Sequence, residues 1–137
     1  MVIGYTTGVF DMFHIGHLNI LKAAKSKCDK LVVGVSTDEL VQTEKNKNPV
    51  ISFEDRIEII KSISYVDEVI PQINKNKFEA WKKIGFNKMF VGTDWKGSDT
   101  WNKFELEFSK LNVTIVYIDY TQSISSTKLT KILSKIQ

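Results

Sequence analysis

The chain has 137 residues and a single cysteine, Cys28, so it has no internal disulfide framework. Its histidines number two, His14 and His17. With one cysteine they fall short of the three or four mixed ligands that zinc takes, and no protein metal site is expected. Arg56 is the sole arginine; lysine supplies nearly all the positive charge, and the net charge is a mild +3. The side chain best suited to bidentate phosphate and guanine contacts is therefore scarce. There is no basic stripe with interleaved aromatics either, so no nucleic-acid partner is expected. No apolar run approaches the length of a membrane span. The sequence opens directly in a strand-like run, without a basic-then-apolar segment, and a cytoplasmic location with no membrane partner is the expectation. Neither GxxxxGK[ST] nor a GxGxxG after the first strand is present, which removes P-loop and classical dinucleotide binding. Repeats, low-complexity segments and linkers are absent, and residues 1–137 read as one domain whose 42% hydrophobic content supports a real core.

What is present is an alternation. Strands are predicted near 2–7, 31–35, 67–70, 88–91 and 113–118, and helices near 16–27, 53–63, 76–84, 99–110 and 126–135. Leu31-Val32-Val33-Gly34-Val35 and Val113-Thr114-Ile115-Val116-Tyr117-Ile118 are nearly continuous apolar and β-branched runs, as strands buried on both faces require. Ser52-Phe53-Glu54-Asp55 reads as an N-cap with acids in the first helical turn. The polar run Glu44-Lys45-Asn46-Lys47-Asn48 has no periodicity and is expected to be a mobile loop. The pattern predicts an α/β protein: a single-domain three-layer Rossmann-like fold with a five-stranded parallel sheet.

The densest chemistry lies in Gly8-Val9-Phe10-Asp11-Met12-Phe13-His14-Ile15-Gly16-His17. It joins the first strand to a helix marked by Ile15, Leu18, Leu21, Ala24 and Cys28 at three- and four-residue steps. A helix N-terminus presents unpaired N–H groups and a positive dipole end, and Gly16 lets backbone approach a ligand closely. Two imidazoles three residues apart beside such a site suit phosphate chemistry; metal ligation and simple capping are the alternatives. Ligands of open α/β sheets bind beyond the carboxyl ends of strands, so His14 and the 36–38, 92–97 and 120–127 loops are expected to meet on one edge.

The string GVFDMFHIGH resembles the HxGH signature of the nucleotidyltransferase superfamily, in its cytidylyltransferase branch. The resemblance continues through Ser36-Thr37-Asp38-Glu39, Tyr65-Val66-Asp67-Glu68-Val69-Ile70-Pro71, Asp94-Trp95-Lys96-Gly97 and Ile124-Ser125-Ser126-Thr127-Lys128. It implies attack by a phosphate oxygen of an acceptor on the α-phosphate of CTP, with loss of pyrophosphate. Catalysis then consists of stabilising negative charge rather than abstracting a proton. By this resemblance His14, His17 and Lys47 are catalytic. Gly8, Val9, Phe10, Asp11, Gly16, Gly92, Asp94, Thr121, Ile124, Ser125, Ser126 and Thr127 bind the nucleotide, and the 125–127 hydroxyls hold its β- and γ-phosphates. Lys45, Arg56, Trp95 and Tyr120 bind the acceptor. Mg²⁺ is expected to arrive on the nucleotide phosphates, with no protein cage.

Relatives specific for glycerol 3-phosphate usually carry Arg-Thr-x-Gly before Ile-Ser, whereas this chain has Tyr120-Thr121-Gln122-Ser123. Ser64 stands where a second arginine is usual, and Val9 where threonine is usual. These departures lie outside HxGH and imply a changed acceptor or a changed way of holding it. The expected partners are CTP and a small alcohol phosphate such as glycerol 3-phosphate, giving a CDP-alcohol such as CDP-glycerol for a cell-wall or capsular polymer, with the enzyme a homodimer. The alternatives are ATP-dependent adenylyl transfer to a sugar phosphate or cofactor precursor, and a non-catalytic nucleotide-binding module.

Overall fold

The structure, a computed structural model, describes residues 1–119. Within them β1 (Ile3–Gly8), β2 (Lys30–Ser36), β3 (Glu68–Gln72), β4 (Lys88–Gly92) and β5 (Thr114–Ile118) form one sheet of order β3-β2-β1-β4-β5. All four pairings are parallel. The expected fold class is the one found. The helix expected at 126–135 lies outside the described residues.

Alternation along β2 divides the core in two. Leu31, Val33 and Val35 point to one face, where they meet Leu21 and Ala24 of α1 (Ile15–Lys25) and Ile60 of α3 (Phe53–Lys61). Val32 points to the other, joining Tyr5, Phe86, Met89, Trp101 and Phe108. This period of two is the geometry of a strand covered on both sides. α4 (Lys77–Ile84) and α5 (Asp99–Ser109) cover the second face, with Phe78 stacked on Phe108 and Trp101 edge-on to Phe104. Trp101 is thus a packing residue, as its helical position predicts.

Helix starts follow the polar residues that precede them. Ser52 caps α3 through Asp55 N–H, Asn76 caps α4 through Phe78 and Glu79 N–H, and Ser98 caps α5 through Trp101 N–H. One helix departs from the sequence expectation. α2 (Asp38–Lys45) starts at the last residue of the 36–38 loop and takes in Glu44 and Lys45 of the polar run expected to be a mobile loop. Thr37 caps it by accepting from Leu40 N–H, Asp38 and Glu39 complement its dipole, and Asn46 ends it in the left-handed conformation. Only Leu40 and Val41 of its eight residues are buried, too few apolar positions to show a period.

Candidate active site

Strand order reverses beside β1: β2 and β3 lie on one side of it, β4 and β5 on the other. The crevice beyond the carboxyl ends of β1 and β4 is therefore the switch point at which this architecture binds ligands. The chain leaves β1 at Gly8 and turns sharply. Phe10 and Met12 both adopt positive φ, 54° and 50°, a region that bulky side chains rarely enter. Burial holds Phe10 there, with its ring against Gly8; a Cβ on residue 8 would lie 3.0 Å from that ring. The turn delivers His14, in extended backbone, as the N-cap of α1.

The two histidines form a reciprocal cap. His14 Nδ1 accepts from Gly16 N–H at 3.0 Å, and His17 Nδ1 accepts from His14 N–H at 3.3 Å. Both nitrogens act as acceptors, so each neutral ring carries its proton on Nε2. The rings stack with centroids 4.0 Å apart, and His17 also meets Phe10 and Phe13. Burial lowers the pKa of His14. It lowers that of His17 to about 4, helped by the neighbouring His14 and opposed by Asp11. Near neutral pH the site thus offers two uncharged Nε2–H groups at the positive end of a helix, an arrangement suited to anionic phosphate.

Arg56 is buried rather than solvated. Its side chain has 0% exposure. Nη1 donates to Val9 O at 2.7 Å and Ser36 O at 2.8 Å, Nε to Ile51 O at 3.0 Å, and Nη2 to Asp38 Oδ1 at 2.7 Å. The guanidinium also lies 5.7 Å from the Phe53 ring centroid. Expected to bind the acceptor, Arg56 commits four of its five N–H donors to three carbonyls and Asp38 and so organises the loops around the site.

The other expected residues are brought to the same edge in part. Lys45 ends α2, and Lys47 follows two residues later. Burial lowers the pKa of Lys45, reinforced by Lys47 and Lys75 and opposed by Asp11. Asp11 therefore lies within electrostatic reach of both Lys45 and His17. Gly92 closes β4 and enters a 3-10 turn, Thr93–Trp95, which carries Asp94 and leaves Trp95 55% exposed. Tyr120, Thr121, Ile124, Ser125, Ser126 and Thr127 lie outside the described residues.

Sequence reasoning missed Lys77. It is 8% exposed, and its Nζ donates to Thr7 Oγ1 at 3.2 Å, at the carboxyl end of β1. Burial, then repulsion from Lys75, pushes its pKa down to about 8. The one signal is its place in the first turn of α4, where the helix dipole disfavours a cation. Among the described residues no cluster of three or more His, Cys, Asp or Glu side chains is arranged to hold a metal ion.

Two measurements check this geometry. Arg56→Ala leaves three carbonyls and Asp38 without their donor and is expected to destabilise the fold by about 3–5 kcal/mol in urea denaturation. Arg56→Lys is expected to recover only part of that, because one ammonium has a single centre of donors. A loss below about 1 kcal/mol for Arg56→Ala, within the range of an ordinary surface pair, contradicts the assignment. His17 provides a pH test. The unfolded imidazole titrates near 6.5 and the folded one near 4. Between those values the unfolded state binds more protons, so stability rises with pH across the window and is lost as pH falls toward 4. His17→Gln is expected to flatten this dependence; an unchanged slope would place the linkage elsewhere.

With the geometry established, the likeness to known proteins becomes specific. The chain matches the family model described as cytidylyltransferase-like over residues 5–132. It is 36% identical over 132 residues to a glycerol-3-phosphate cytidylyltransferase of Bacillus spizizenii, covering 96% of each chain. An FAD synthase of Thermococcus sibiricus is also 36% identical over 132 residues, 96% of this chain and 89% of that one. The crystal structure of a lipopolysaccharide core biosynthesis protein from Thermoplasma volcanium superposes with a TM-score of 0.75 at 27% identity, covering 89% of this chain and 99% of that one. A reversed parallel sheet, a histidine-capped helix at its switch point and matches along nearly the whole length agree: the chain belongs to the cytidylyltransferase-like family of nucleotidyltransferases.

Proposed function

We propose that the protein transfers the cytidylyl group of CTP to a small alcohol phosphate, glycerol 3-phosphate or a related polyol phosphate, releasing pyrophosphate. The observation that carries this reading is the stacked, neutral His14–His17 pair capping α1. A phosphate oxygen of the acceptor forms a bond to the α-phosphorus while the bond to the bridging oxygen of pyrophosphate breaks. The attacking oxygen is already anionic, so the chemistry needs donors for accumulating charge and no base. Two Nε2–H groups at a helix N-terminus match that need. A histidine with a pKa near 4 is also a poor proton carrier at neutral pH.

The remaining roles follow the charges. Lys45 and Lys47 neutralise the α-phosphate and grip the acceptor phosphate, and buried Lys77 supplies a further cation at the end of β1. Gly92 and Asp94 lie beside base and ribose, Trp95 serves the acceptor, and the hydroxyls of 125–127 hold the β- and γ-phosphates. Mg²⁺ would be carried mainly by the nucleotide phosphates and offset their charge. A homodimer in the cytoplasm, making a CDP-alcohol for a cell-wall or capsular polymer, completes the proposal; among the described residues no helix is long and apolar enough to cross a membrane.

A second reading has its own support. The FAD synthase relatives match as closely as the glycerol-3-phosphate cytidylyltransferases, which favours ATP and a cofactor precursor as an alternative pair. Pyrophosphate release, with CTP and ATP each tested against polyol phosphates, sugar phosphates and flavin nucleotides, separates the two. Turnover with CTP and a polyol phosphate is expected. Turnover only with ATP and a flavin nucleotide replaces the proposal with the second reading. Nucleotide binding without turnover across the panel would favour a non-catalytic module. In the active pairing His17→Ala is expected to lower kcat at least about tenfold, roughly 1.4 kcal/mol, while CTP affinity changes less. Unchanged kcat removes His17 from the mechanism.

A further inference from the structure

The residues between α2 and α3 carry no regular structure, yet one peptide in them is gripped from both sides. Asp11 Oδ2 accepts from Val50 N–H at 2.8 Å, and Asp11 Oδ1 accepts from Ile51 N–H at 2.9 Å. On the other side of the same residue, Ile51 O accepts from Arg56 Nε at 3.0 Å. Arg56 also donates to Val9 O, two residues before Asp11. Val9, Asp11, Ile51 and Arg56 thus close a ring of hydrogen bonds between the histidine loop and the segment that follows Lys45 and Lys47. Burial of an apolar side chain does not anchor Val50, which is 52% exposed.

We propose that Asp11 is a positioning residue: its carboxylate latches the Val50–Ile51 peptide to the histidine loop and so fixes the lysine-bearing segment 45–49 beside His14 and His17. Hydrogen bonds from two neighbouring N–H groups to one carboxylate are charge-assisted and define both distance and direction. The field of Asp11 reaches both Lys45 and His17, opposing the other influences on each. Without the latch, the turn at Asn46 and the cap at Ser52 remain. The span between them loses its hold on the N–H side, and Lys47 no longer has a defined position. This rests on nucleotidyl transfer only for what the lysines do; the latch does not depend on it.

The test uses the full chain with Asp11→Asn, Lys47→Ala and the double variant. Asparagine keeps one acceptor oxygen and turns an NH₂ group on the other amide. Amide exchange at Val50 and Ile51 is expected to accelerate at least about tenfold in Asp11→Asn, with Leu31 and Val33 of β2 unchanged. Affinity for CTP, and for ATP as the alternative nucleotide, is expected to fall in each single variant. The double variant is expected to be little worse than either, because Asp11 acts through Lys47. Val50→Pro deletes one donor from the opposite side and should accelerate exchange at Ile51 in the same way, which decides the matter if Asp11→Asn does not fold. Unchanged exchange overturns the latch. Strictly additive losses in nucleotide affinity overturn the positioning role. Failure of the unaltered chain to bind either nucleotide overturns the lysines' role together with the functional reading, while exchange at Val50 and Ile51 still reports the latch on its own.

Discussion

A guanidinium held out of water must find acceptors for its N–H groups, and those that Arg56 finds belong to separate parts of the chain. Val9 lies after β1, Ser36 ends β2, Asp38 opens α2 and Ile51 precedes α3. Asp38 in turn accepts from Phe53 N–H at the start of α3. Satisfying one buried cation therefore fixes the mutual positions of the segments that frame the switch point. Parallel sheets bring the ends of their strands to one edge but do not specify the path of the loops leaving it. Here that path is specified by a charge that cannot be left unpaired.

The histidine pair depends on this scaffold. Its imidazoles cap a helix through Nδ1, and capping dictates which nitrogen keeps the proton. Stacking and burial then remove the ordinary titration from the neutral range. Charge, tautomer and direction are set before any ligand arrives, and electrostatic preorganisation consists of that. The positive φ values at Phe10 and Met12 are the local cost of turning the chain fast enough to reach His14 from Gly8.

The sequence was informative where chemistry is local. Nearly continuous β-branched runs at 31–35 and 113–118 mark strands because both of their faces are covered. Ser52 and its acids mark the start of α3 because a cap is read within three residues. The HxGH string marks the site because its glycine and histidines act within one turn. Reasoning from the sequence failed where a residue's meaning comes from partners far along the chain. Apart from the resemblance, Arg56 in the first turns of a polar helix reads like any solvated cation, and only the converging carbonyls reveal its burial. Lys77 reads the same way until Thr7 meets it across 70 residues. Asp11 meets its amides 39 and 40 residues away. α2 escaped notice because it contributes two side chains to the core and otherwise rests on its caps.

The central claim is that the two imidazoles are neutral, with their protons on Nε2 and their Nδ1 atoms bound to backbone. A two-bond ¹H–¹⁵N correlation spectrum of the imidazole rings at neutral pH tests it most directly. Both His14 and His17 are expected to show a protonated Nε2 and a bare, hydrogen-bonded Nδ1. His17 is expected to keep this pattern as pH falls through the range where a free imidazole takes up its proton. A proton on Nδ1 of either ring, or an imidazolium at neutral pH, would contradict that claim.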